Sequence, residues 1–509
     1  MNYPVWDVPF GSQWLIAVIA VVHVFVSHFA VGGGLLLVLL EGRAYKQDDP
    51  ALLSYLKRHS RFFVFLTLVV GAMTGVGIWF TIGLISPEAT SELIHTFVWV
   101  WAIEWVFFLV EILSILVYYK TWETLPRTTH RVVGWVYFAA AYLSLVAIDG
   151  ILAFQLTPGR WLETHSLLNA YFNPNFWPSL LMRTLICAML GGLYGLLTLS
   201  WSKDRTLKGD LARTLSAWVV LPALALPALG WWFAASVPKA QRTFLVHYTA
   251  FNHAAMVLFV ASSLLVVLTF LLVWLRPRSL GKTVALVLMA LAFASMGSAE
   301  WVREDMRLPY LISGHLYVNG VPVSKMAEMR EKGILASSPF MGAKKVTPQN
   351  EIDIGRQLFR AACSQCHLPR RGFNALAPRF VGLDRAFIAS LVQKTDLMRG
   401  GMPPFPGNAD EAHAIARYLV GLAPAEPVSN DGAAVWTRRC AMCHSLRGAF
   451  RPVIEAFSDQ MPDDIADIIA NIDSMNEIMP AWTGNALEKA ALASYLAEQA
   501  KKPVKEAAP

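Results

Sequence analysis

The chain has 509 residues, of which 55% are hydrophobic and only 16% are charged. Because soluble proteins contain about 25% charged residues, this composition excludes an ordinary soluble globular protein and indicates a membrane protein. The formal net charge of +7 at pH 7 comes from Lys and Arg in the connections between apolar segments. It is therefore explained by membrane topology and does not indicate a nucleic-acid-binding protein.

Eight apolar segments are each long enough to cross a membrane, which requires about 20 residues. From about Lys344 onward the composition is that of a soluble helical protein. The N-terminal stretch has no Lys or Arg before the first span, so we expect this span to be retained rather than cleaved as a signal peptide. The predicted fold class is all-α, a polytopic membrane helix bundle followed by two small helical lobes. The predicted spans are residues 14–40, 61–86, 94–119, 131–157, 177–201, 212–236, 250–275 and 283–306.

The distribution of positive charge among the connections predicts the orientation of the bundle. One alternate set contains fifteen Lys and Arg residues between Arg43 and Lys282, whereas the other set contains only Arg160, Lys239 and Arg242. The first set is expected to face the cytoplasm. With eight spans, both termini then face the opposite side, which for a bacterial inner membrane is the periplasm.

Two Cys-x-x-Cys-His motifs, "CSQCH" and "CAMCH", predict two covalently bound haem c groups. In each motif the two thiols attach to the haem vinyl groups, and the adjacent His is placed to ligate the iron. A thioredoxin-like redox pair or a zinc site is the weaker alternative, because a His follows each cysteine pair directly. The motif residues are Cys363, Cys366 and His367, and Cys440, Cys443 and His444.

A repeat of 77 residues relates the two motifs and the segments that follow them. In both copies a Met precedes Pro in a loop, and a thioether opposite His is an axial ligand that raises the haem potential. We therefore predict Met402 and Met479 as axial ligands in lobes that resemble class I cytochromes c. The pairs at this spacing are Cys363 and Cys440, Met402 and Met479, and Tyr418 and Tyr495.

The second lobe is strongly acidic. Between Pro452 and Ala500 there are nine Asp or Glu residues and one Lys. Complementary charge steers protein encounter, so the run "SDQMPDDIADIIANID" could dock a basic electron-donor protein. The alternative, a helix face that is simply solvated, fits the sequence equally well.

Ionisable residues inside the predicted spans indicate a polar site within the membrane, because charge at membrane depth is costly and is usually functional. His23 and the carboxylate of Glu304 can each ligate haem iron. Arg303 and Arg307 can pair with haem propionates. The ionisable residues inside the predicted spans fall in the half of the bundle expected to face the periplasm, except Glu111, which lies near mid-membrane. These residues are His23, Glu104, Glu111, Asp149, Arg183, His253, Glu300, Arg303 and Glu304.

Two carboxylates of the third span, Glu104 and Glu111, are seven residues apart and share a helix face. They are predicted to hand protons toward the site. His28 lies off the face of His23, and we expect it to be a packed helix residue. We expect Cys187 to be an unreactive core residue.

Four stretches resemble one known family: "HVFVSHFAVGGGLLLVLLEG", "GAMTGVGIWF", "AIEWVFFLVE" and "EWVREDMRLPY". The family is subunit I of the cytochrome bd oxidases, and the resemblance covers residues 10–310. It implies that His23 is a haem ligand, and that Glu304 ligates haem with Arg307 three residues later. Glu104 matches the family's acidic third span better than Glu111 does. The resemblance also implies two non-covalent haems of type b or d, and a related second membrane subunit as partner.

Two departures from the family are informative. Arg183 stands where the family has the His of its low-spin haem b, and Ala254 lies near the place of that haem's Met. A shifted pair, Met182 with His253 or Met256, is the alternative that would hold a third haem. In addition, only "ASVPKAQRTFLVHY" joins the sixth and seventh spans, which is too short for the family's quinol-binding loop. The chain thus resembles the cytochrome c-fused branch of the superfamily.

The predicted function is a membrane-bound haem oxidoreductase of the bacterial inner membrane. Electrons from a periplasmic c-type cytochrome would pass through two haem c groups to a membrane haem pair that reduces O2 to water. The alternatives are a nitric oxide or peroxide reductase, a non-catalytic electron-transfer module, and quinol oxidation at a site unlike the family's. The predicted parts are a transmembrane haem domain (1–310), a periplasmic linker (311–345) and two cytochrome c domains (346–425 and 426–509).

Overall fold

The computed structural model describes residues 2–239, 241–242, 250–398, 401–424, 429–448, 450–476 and 478–502, with residues 250, 251 and 252 described by their backbone alone. The chain divides into two compact units. The bundle unit comprises Ile16–Gly83 and Ala89–Arg307, and the lobe unit comprises Met1–Leu15, Leu84–Glu88 and Leu308–Pro509. Each unit is described by itself below.

Within the described residues, eight helices are long and apolar enough to cross a membrane, which confirms the predicted number of spans. Several extend well beyond the predicted apolar stretch: the second begins at Pro50 and the sixth at Arg205. Polar residues there continue the backbone hydrogen-bond ladder into the Lys- and Arg-rich connections. The helices are α1 (Ser12–Lys46), α2 (Pro50–Ile85), α3 (Pro87–Lys120), α4 (Arg127–Leu156), α5 (Phe176–Leu199), α6 (Arg205–Ser236), α7 (Ala250–Leu275) and α8 (Lys282–Asp305).

Glycines allow α1 and α5 to touch through their backbones. A Cβ atom added at Gly32 would lie 1.7 Å from the carbonyl oxygen of Cys187, and one added at Gly191 would lie 2.7 Å from the carbonyl oxygen of Gly32. Small residues at such crossings are the usual means of close helix packing in membranes. The contact fixes α1, which carries His23, against α5, which carries Arg183.

The lobe unit is built from short elements that form two separate hydrophobic cores. A two-stranded antiparallel sheet and two short helices precede the first lobe. These are β1 (Tyr310–Ile312), β2 (Leu316–Tyr317), α9 (Met326–Lys332) and α10 (Ile334–Ser337). The first lobe contains α11 (Glu351–Ala362), α12 (Arg385–Gln393) and α13 (Ala409–Val420). The second contains α14 (Gly432–Arg439), α15 (Pro462–Ala470), α16 (Ile472–Met475) and α17 (Ala486–Lys501).

In each lobe the first and last helices cross at a glycine. A Cβ atom added at Gly355 would lie 2.1 Å from the carbonyl oxygen of Ala414, and one added at Gly432 would lie 2.3 Å from that of Ala491. Both glycines and both alanines are separated by the repeat length of 77 residues. The sequence repeat therefore corresponds to two copies of one helix crossing. The predicted boundary between the copies, at 425/426, lies outside the described residues.

A buried glutamate in α13 ties the first lobe to the segment before it. Glu411 forms a capping box with Asn408, and only 1% of its surface is exposed. Its two carboxylate oxygens also accept hydrogen bonds from the backbone N–H groups of Ile334, at 2.9 Å, and Leu335, at 2.7 Å. These N–H groups begin α10, so the carboxylate satisfies donors that the helix itself leaves unpaired.

The equivalent glutamate of the second lobe is paired differently. Glu488 forms a capping box with Asn485, and its carboxylate also binds Arg438 and Arg439, the latter at 3.2 Å. Burial alone would raise the pKa of Glu488, but the two arginines outweigh it and hold the pKa below its ordinary value of 4.5. Glu488 therefore stabilises the second lobe as a carboxylate.

We expect Gly355→Ala to destabilise the first lobe by about 1–3 kcal/mol, because the added methyl group collides with a backbone oxygen that cannot move alone. Thermal unfolding of the purified protein, followed by circular dichroism, measures the change. Gly342→Ala is the matched control, since nothing lies within 4 Å of a Cβ atom at Gly342. Equal melting temperatures for the two variants would contradict the crossing.

We expect Glu488→Gln to lower the melting temperature of the second lobe at pH 7. A carboxylate whose folded pKa is lowered contributes stability above its unfolded pKa, and loses it as the pH falls through the folded value. The difference between variant and wild type should therefore shrink below about pH 4. Glu498→Gln is the control, because Glu498 lies on the same helix with 67% of its side chain exposed. A difference that stays constant down to pH 3 would refute the assignment.

Candidate haem and proton sites

In both lobes the backbone orients the predicted axial histidine. His367 Nδ1 lies 3.1 Å from the carbonyl oxygen of Asn374, and His444 Nδ1 lies 3.0 Å from that of Arg451. A carbonyl only accepts, so Nδ1 carries the proton and Nε2 keeps the lone pair that an iron needs. Asn374 and Arg451 both have positive φ, 57° and 45°, so each loop turns through the left-handed region where it presents its carbonyl.

The pKa of the first thiol in each Cys-x-x-Cys-His motif bears on whether the motif attaches haem or acts as a redox pair. Burial raises the pKa of Cys363 and of Cys440 to about 12, whereas a redox-active Cys-x-x-Cys pair has a lowered thiol pKa. Burial also lowers the pKa of His367 to about 4, which keeps this imidazole neutral, the form that ligates iron. Within the described residues there is no cluster of His, Cys, Asp or Glu that could hold a metal ion alone. The raised thiol pKa fits covalent attachment to haem better than a redox-active pair.

The two predicted axial methionines lie in irregular, half-buried loops. The loop of Met402 is held where the Thr395 hydroxyl donates to the carbonyl oxygen of Pro403 at 2.7 Å. The backbone of Met479 is held by Lys394 of the first lobe, whose Nζ lies 3.4 Å from the Met479 carbonyl oxygen. Ligation by the two sulfur atoms stays a prediction.

One short segment of the first lobe contacts both ligand loops of the second. Lys394 reaches the loop of Met479, and Arg451, whose carbonyl orients His444, donates from Nη1 to the carbonyl oxygen of Leu397 at 3.1 Å. Residues 394–397 thus brace both loops expected to hold the second haem c. Two hydrogen bonds thus link the lobes directly at these loops.

His23 is oriented by α2. Its Nδ1 lies 3.2 Å from the carbonyl oxygen of Gly71 and 3.1 Å from the hydroxyl oxygen of Thr74, which leaves Nε2 available for iron. Gly71 ends a π-helical segment, Leu66–Gly71, and such segments are frequent at functional sites. A Cβ atom at Gly75 would lie 3.1 Å from the imidazole Cε1 atom, so this glycine makes room for the ring. The arrangement fits the predicted ligand role.

The two carboxylates of α3 both face α4. Glu104 accepts a hydrogen bond from Ser144 Oγ at 2.9 Å, and Glu111 lies 3.2 Å from the hydroxyl of Tyr137. The Tyr137 hydroxyl also lies 3.0 Å from the carbonyl oxygen of Ala30. The single hydroxyl proton of Tyr137 is therefore shared between two acceptors, Glu111 and the carbonyl oxygen of Ala30. A role in proton transfer stays a prediction for both glutamates.

Arg183 is the centre of a buried ion-pair network. Its Nε lies 2.9 Å from Asp149 Oδ1 and its Nη2 lies 3.5 Å from Glu300 Oε1. Asp149 is completely buried and also accepts from Ser179 Oγ at 2.7 Å. The network joins α4, α5 and α8, which carry Asp149, Arg183 and Glu300. The Arg183 guanidinium therefore binds two carboxylates.

The network continues along α8 to Glu304. Arg303 Nε lies 2.8 Å from Glu300 Oε2, and Arg303 Nη2 lies 3.7 Å from Glu304 Oε2. Arg307 binds both Glu304 and the side-chain oxygen of Gln155. The ion pairs described here join three arginines to three carboxylates. Glu304 is the most exposed member, with 51% of its side chain accessible.

His28 has a polar role that its sequence position did not indicate. It is buried, and its Nδ1 donates to the carbonyl oxygen of Val24 at 2.8 Å. Its Nε2 therefore accepts from Arg183 Nη1 at 3.3 Å. We expected His28 only to pack within the bundle. It lies five residues after His23, on a different face of α1, and there it contacts Arg183.

Ligation of a third haem by Met182 with His253 or Met256 stays a prediction. The side chains of His253 and Met256 are exposed on α7, and Met182 adjoins the ion-paired Arg183. Most of the connection between α6 and α7, predicted to be too short for a quinol site, lies outside the described residues. Cys187 is buried, as expected for a core residue.

Comparisons with known proteins agree with these features. Residues 12–245 match the family model described as cytochrome bd terminal oxidase subunit I. Residues 350–419 and 428–496 match the model described as cytochrome c oxidase, cbb3-type, subunit III. The resemblance predicted from the sequence is thereby confirmed, including the cytochrome c fusion.

Among solved structures, the chain is similar to the bd oxidase from Geobacillus thermodenitrificans. The identity is 16%, the TM-score is 0.51, and the match covers 60% of this chain and 88% of that chain. At this identity the likeness shows the fold alone. No curated protein matches the chain.

We expect Arg183→Met to destabilise the bundle by about 3–5 kcal/mol, because Asp149 would be left buried without its counter-ion and Glu300 would keep only Arg303. Thermal unfolding of the purified protein in detergent measures the loss. Arg160→Met is the control, because Arg160 is exposed in the connection between α4 and α5 and should change stability by no more than about 0.5 kcal/mol. Similar stability of both variants would show that the network contributes little.

Proposed function

Because this chain belongs to the cytochrome bd superfamily and carries two cytochrome c domains, we propose that it transfers electrons from a periplasmic c-type cytochrome to O2, forming water. The observation that carries the proposal is the combination of two lobes with pre-oriented histidines and a bundle in which His23 presents a free Nε2. The lobes supply a route for single electrons that does not require a quinol site.

The proposed donor surface is the acidic face of the second lobe. Its carboxylates are exposed, so they are available to a basic protein in solution. Opposite charge raises the rate at which two proteins meet, and high salt lowers this rate again because it screens the charges. The residues of this face are Glu455, Asp459, Asp463, Asp464, Asp467 and Asp473.

From the second lobe, electrons would continue to the first through the contacts made by residues 394–397. Lys394 and Arg451 fix the two ligand loops of the second lobe against the first. Fixed loops keep the spacing of redox groups constant. We place both lobes on the periplasmic side of the inner membrane, as the charge of the connections predicts.

In the bundle, His23 and Glu304 would hold two haems of type b or d. When bound, these haems supply the binding and reduction of O2. Arg303 and Arg307 would pair with propionates, because guanidinium groups bind carboxylates in a bidentate manner. The use of Arg183 for ion pairs favours two membrane haems over three.

Protons for water formation would come through α3 and α4. Glu111 is buried beside Tyr137, and Glu104 lies one heptad away beside Ser144. Hydroxyl groups next to carboxyl groups can accept and donate in turn, which is what a relay requires. Both glutamates act on protons in this proposal and bind no iron.

Bd subunit I generally pairs with a second membrane subunit, and we propose the same here. Many large apolar side chains of the bundle are exposed and would face lipid or that partner. Among the most exposed are Met73, Val76, Trp99, Leu224 and Trp231.

We expect Glu304→Ala to reduce oxygen uptake driven by reduced cytochrome c by about 100-fold or more, since ligand-sphere changes of this kind already cost 10–100-fold in activity. The variant should also change the spectrum of a high-spin membrane haem while both haem c spectra stay intact. Oxygen consumption by the purified protein is the measurement. Glu163→Ala, which alters an exposed carboxylate between α4 and α5, is the control.

Normal oxygen uptake in Glu304→Ala would remove that ligand assignment. Faster consumption of nitric oxide or peroxide than of oxygen by the wild-type protein would assign a different acceptor. Absence of a carbon monoxide difference spectrum in the membrane haems would indicate an electron-transfer module instead. Turnover with quinol alone would show that the cytochrome donor is dispensable.

A further inference from the structure

The bundle contains a cavity with no part in the proposed electron or proton route. It has a volume of about 750 Å³ and lies between the start of α2 and the connection from α5 to α6. This is within the range of about 300–1,000 Å³ found for small-molecule sites. The principal lining residues are Tyr55, Arg58, His59, Thr198, Trp201 and Lys203.

His59 contributes an unused hydrogen-bond acceptor to this cavity. The residue is completely buried, and its Nδ1 lies 2.8 Å from Thr198 Oγ1. When the Thr198 hydroxyl donates its proton to the carbonyl oxygen of Gly195, at 3.0 Å, or to the Tyr55 hydroxyl, at 3.0 Å, it accepts from His59 Nδ1, and His59 Nε2 is then an acceptor. The lone pair on His59 Nε2 has no partner among the described residues. A buried acceptor in this state is costly unless a ligand donates to it.

Two cations line the same cavity. Arg58 and Lys203 form no ion pair within the part of the chain that the structure describes, and Arg58 donates only to Ser54 Oγ at 3.0 Å. Asp204 also lines the cavity, but its Oδ1 atom caps α6, accepting from the N–H groups of Thr206 and Leu207, so the two cations exceed this one acid. The cavity therefore offers positive charge to an anion together with one acceptor for a hydroxyl donor.

The cavity ends at an aromatic layer rather than at a polar route. Behind His59 lies Phe29, which is completely buried, with its ring centre 6.0 Å from that of His59. Phe29 stacks on Tyr194 at 4.0 Å and packs edge-on against Phe63 at 5.1 Å. These rings offer no continuous chain of proton carriers. The arrangement suits a ligand that enters and stays better than a proton channel.

We infer that this cavity binds an anionic phosphate ester that carries a free hydroxyl group. Arg58 and Lys203 hold the phosphate, and the hydroxyl donates to His59 Nε2. The site lies at the end of the bundle with the Lys- and Arg-rich connections, where anionic lipid headgroups concentrate. A phospholipid with a glycerol headgroup and a soluble glycerol phosphate share this chemistry, so both are tested. The inference does not depend on the proposed oxidase activity.

The test is native mass spectrometry of the full-length, haem-loaded protein, purified and delipidated in detergent. Two lipids of equal charge are compared: phosphatidylglycerol, which has headgroup hydroxyls, and phosphatidylmethanol, which has none. We expect wild type to retain phosphatidylglycerol at least about tenfold more tightly, the factor that one hydrogen bond of ordinary strength supplies. In His59→Leu this preference should disappear while binding of both lipids persists.

The charge requirement is tested with Arg58→Ala and Lys203→Ala in one protein. This variant should lose retention of both lipids. Arg61→Ala is the matched control, because Arg61 is an exposed arginine on the same helix outside the cavity, and it should bind as wild type does. Glycerol 3-phosphate is titrated in parallel. Binding of glycerol 3-phosphate but not of phosphatidylglycerol, with the same dependence on Arg58 and Lys203, would assign the site to the soluble ester.

Two results would overturn the inference. One is that neither phosphatidylglycerol nor glycerol 3-phosphate binds the wild-type protein. The other is that the Arg58→Ala, Lys203→Ala protein binds like the Arg61→Ala control although its melting temperature and haem content match wild type. If His59→Leu fails to fold, His59→Phe serves instead, because it also removes the acceptor, and loss of the preference for phosphatidylglycerol over phosphatidylmethanol in that variant would support the assignment.

Discussion

Charge buried in a membrane bundle has to be neutralised locally, and in this protein Arg183 meets that requirement. It binds Asp149 from α4 and Glu300 from α8 while it belongs to α5, so three helices are held at one point. Without its counter-ions each of these groups would be costly at membrane depth. The same balance extends through Arg303 to Glu304, which ties the orientation of a proposed iron ligand to residues two helices away.

The lobes depend on a different constraint, the close approach of backbones. Gly355 and Gly432 allow the first and last helices of each lobe to cross in contact. The motif that follows each first helix is then placed against a loop whose carbonyl orients the histidine. Both copies share this arrangement, whereas their surface charge and the partners of their capping glutamates differ.

Features encoded by local spacing were predictable, and those that depend on contacts between distant segments were not. The eight spans follow from runs of apolar residues, and the haem c motifs from Cys-x-x-Cys-His and the 77-residue repeat. The carboxylates that bind Arg183, Asp149 and Glu300, lie 34 and 117 positions away in the chain, and no local sequence pattern predicts these pairs. The cavity beside His59 likewise arises where α2 meets the end of α5. A π-helical segment beside His23 has no simple sequence signal beyond its nearby glycines.

The capping glutamate of the first lobe has a practical consequence for dissecting the protein. Its carboxylate is completed by backbone N–H groups of Ile334 and Leu335, which precede the sequence-defined cytochrome domain. A soluble fragment cut at residue 346 would leave a buried carboxylate with two vacant acceptor positions. The folding module therefore starts upstream of the haem-binding module, at or before Gly333. The second lobe supplies its own arginines to Glu488, so its corresponding boundary coincides with its haem domain.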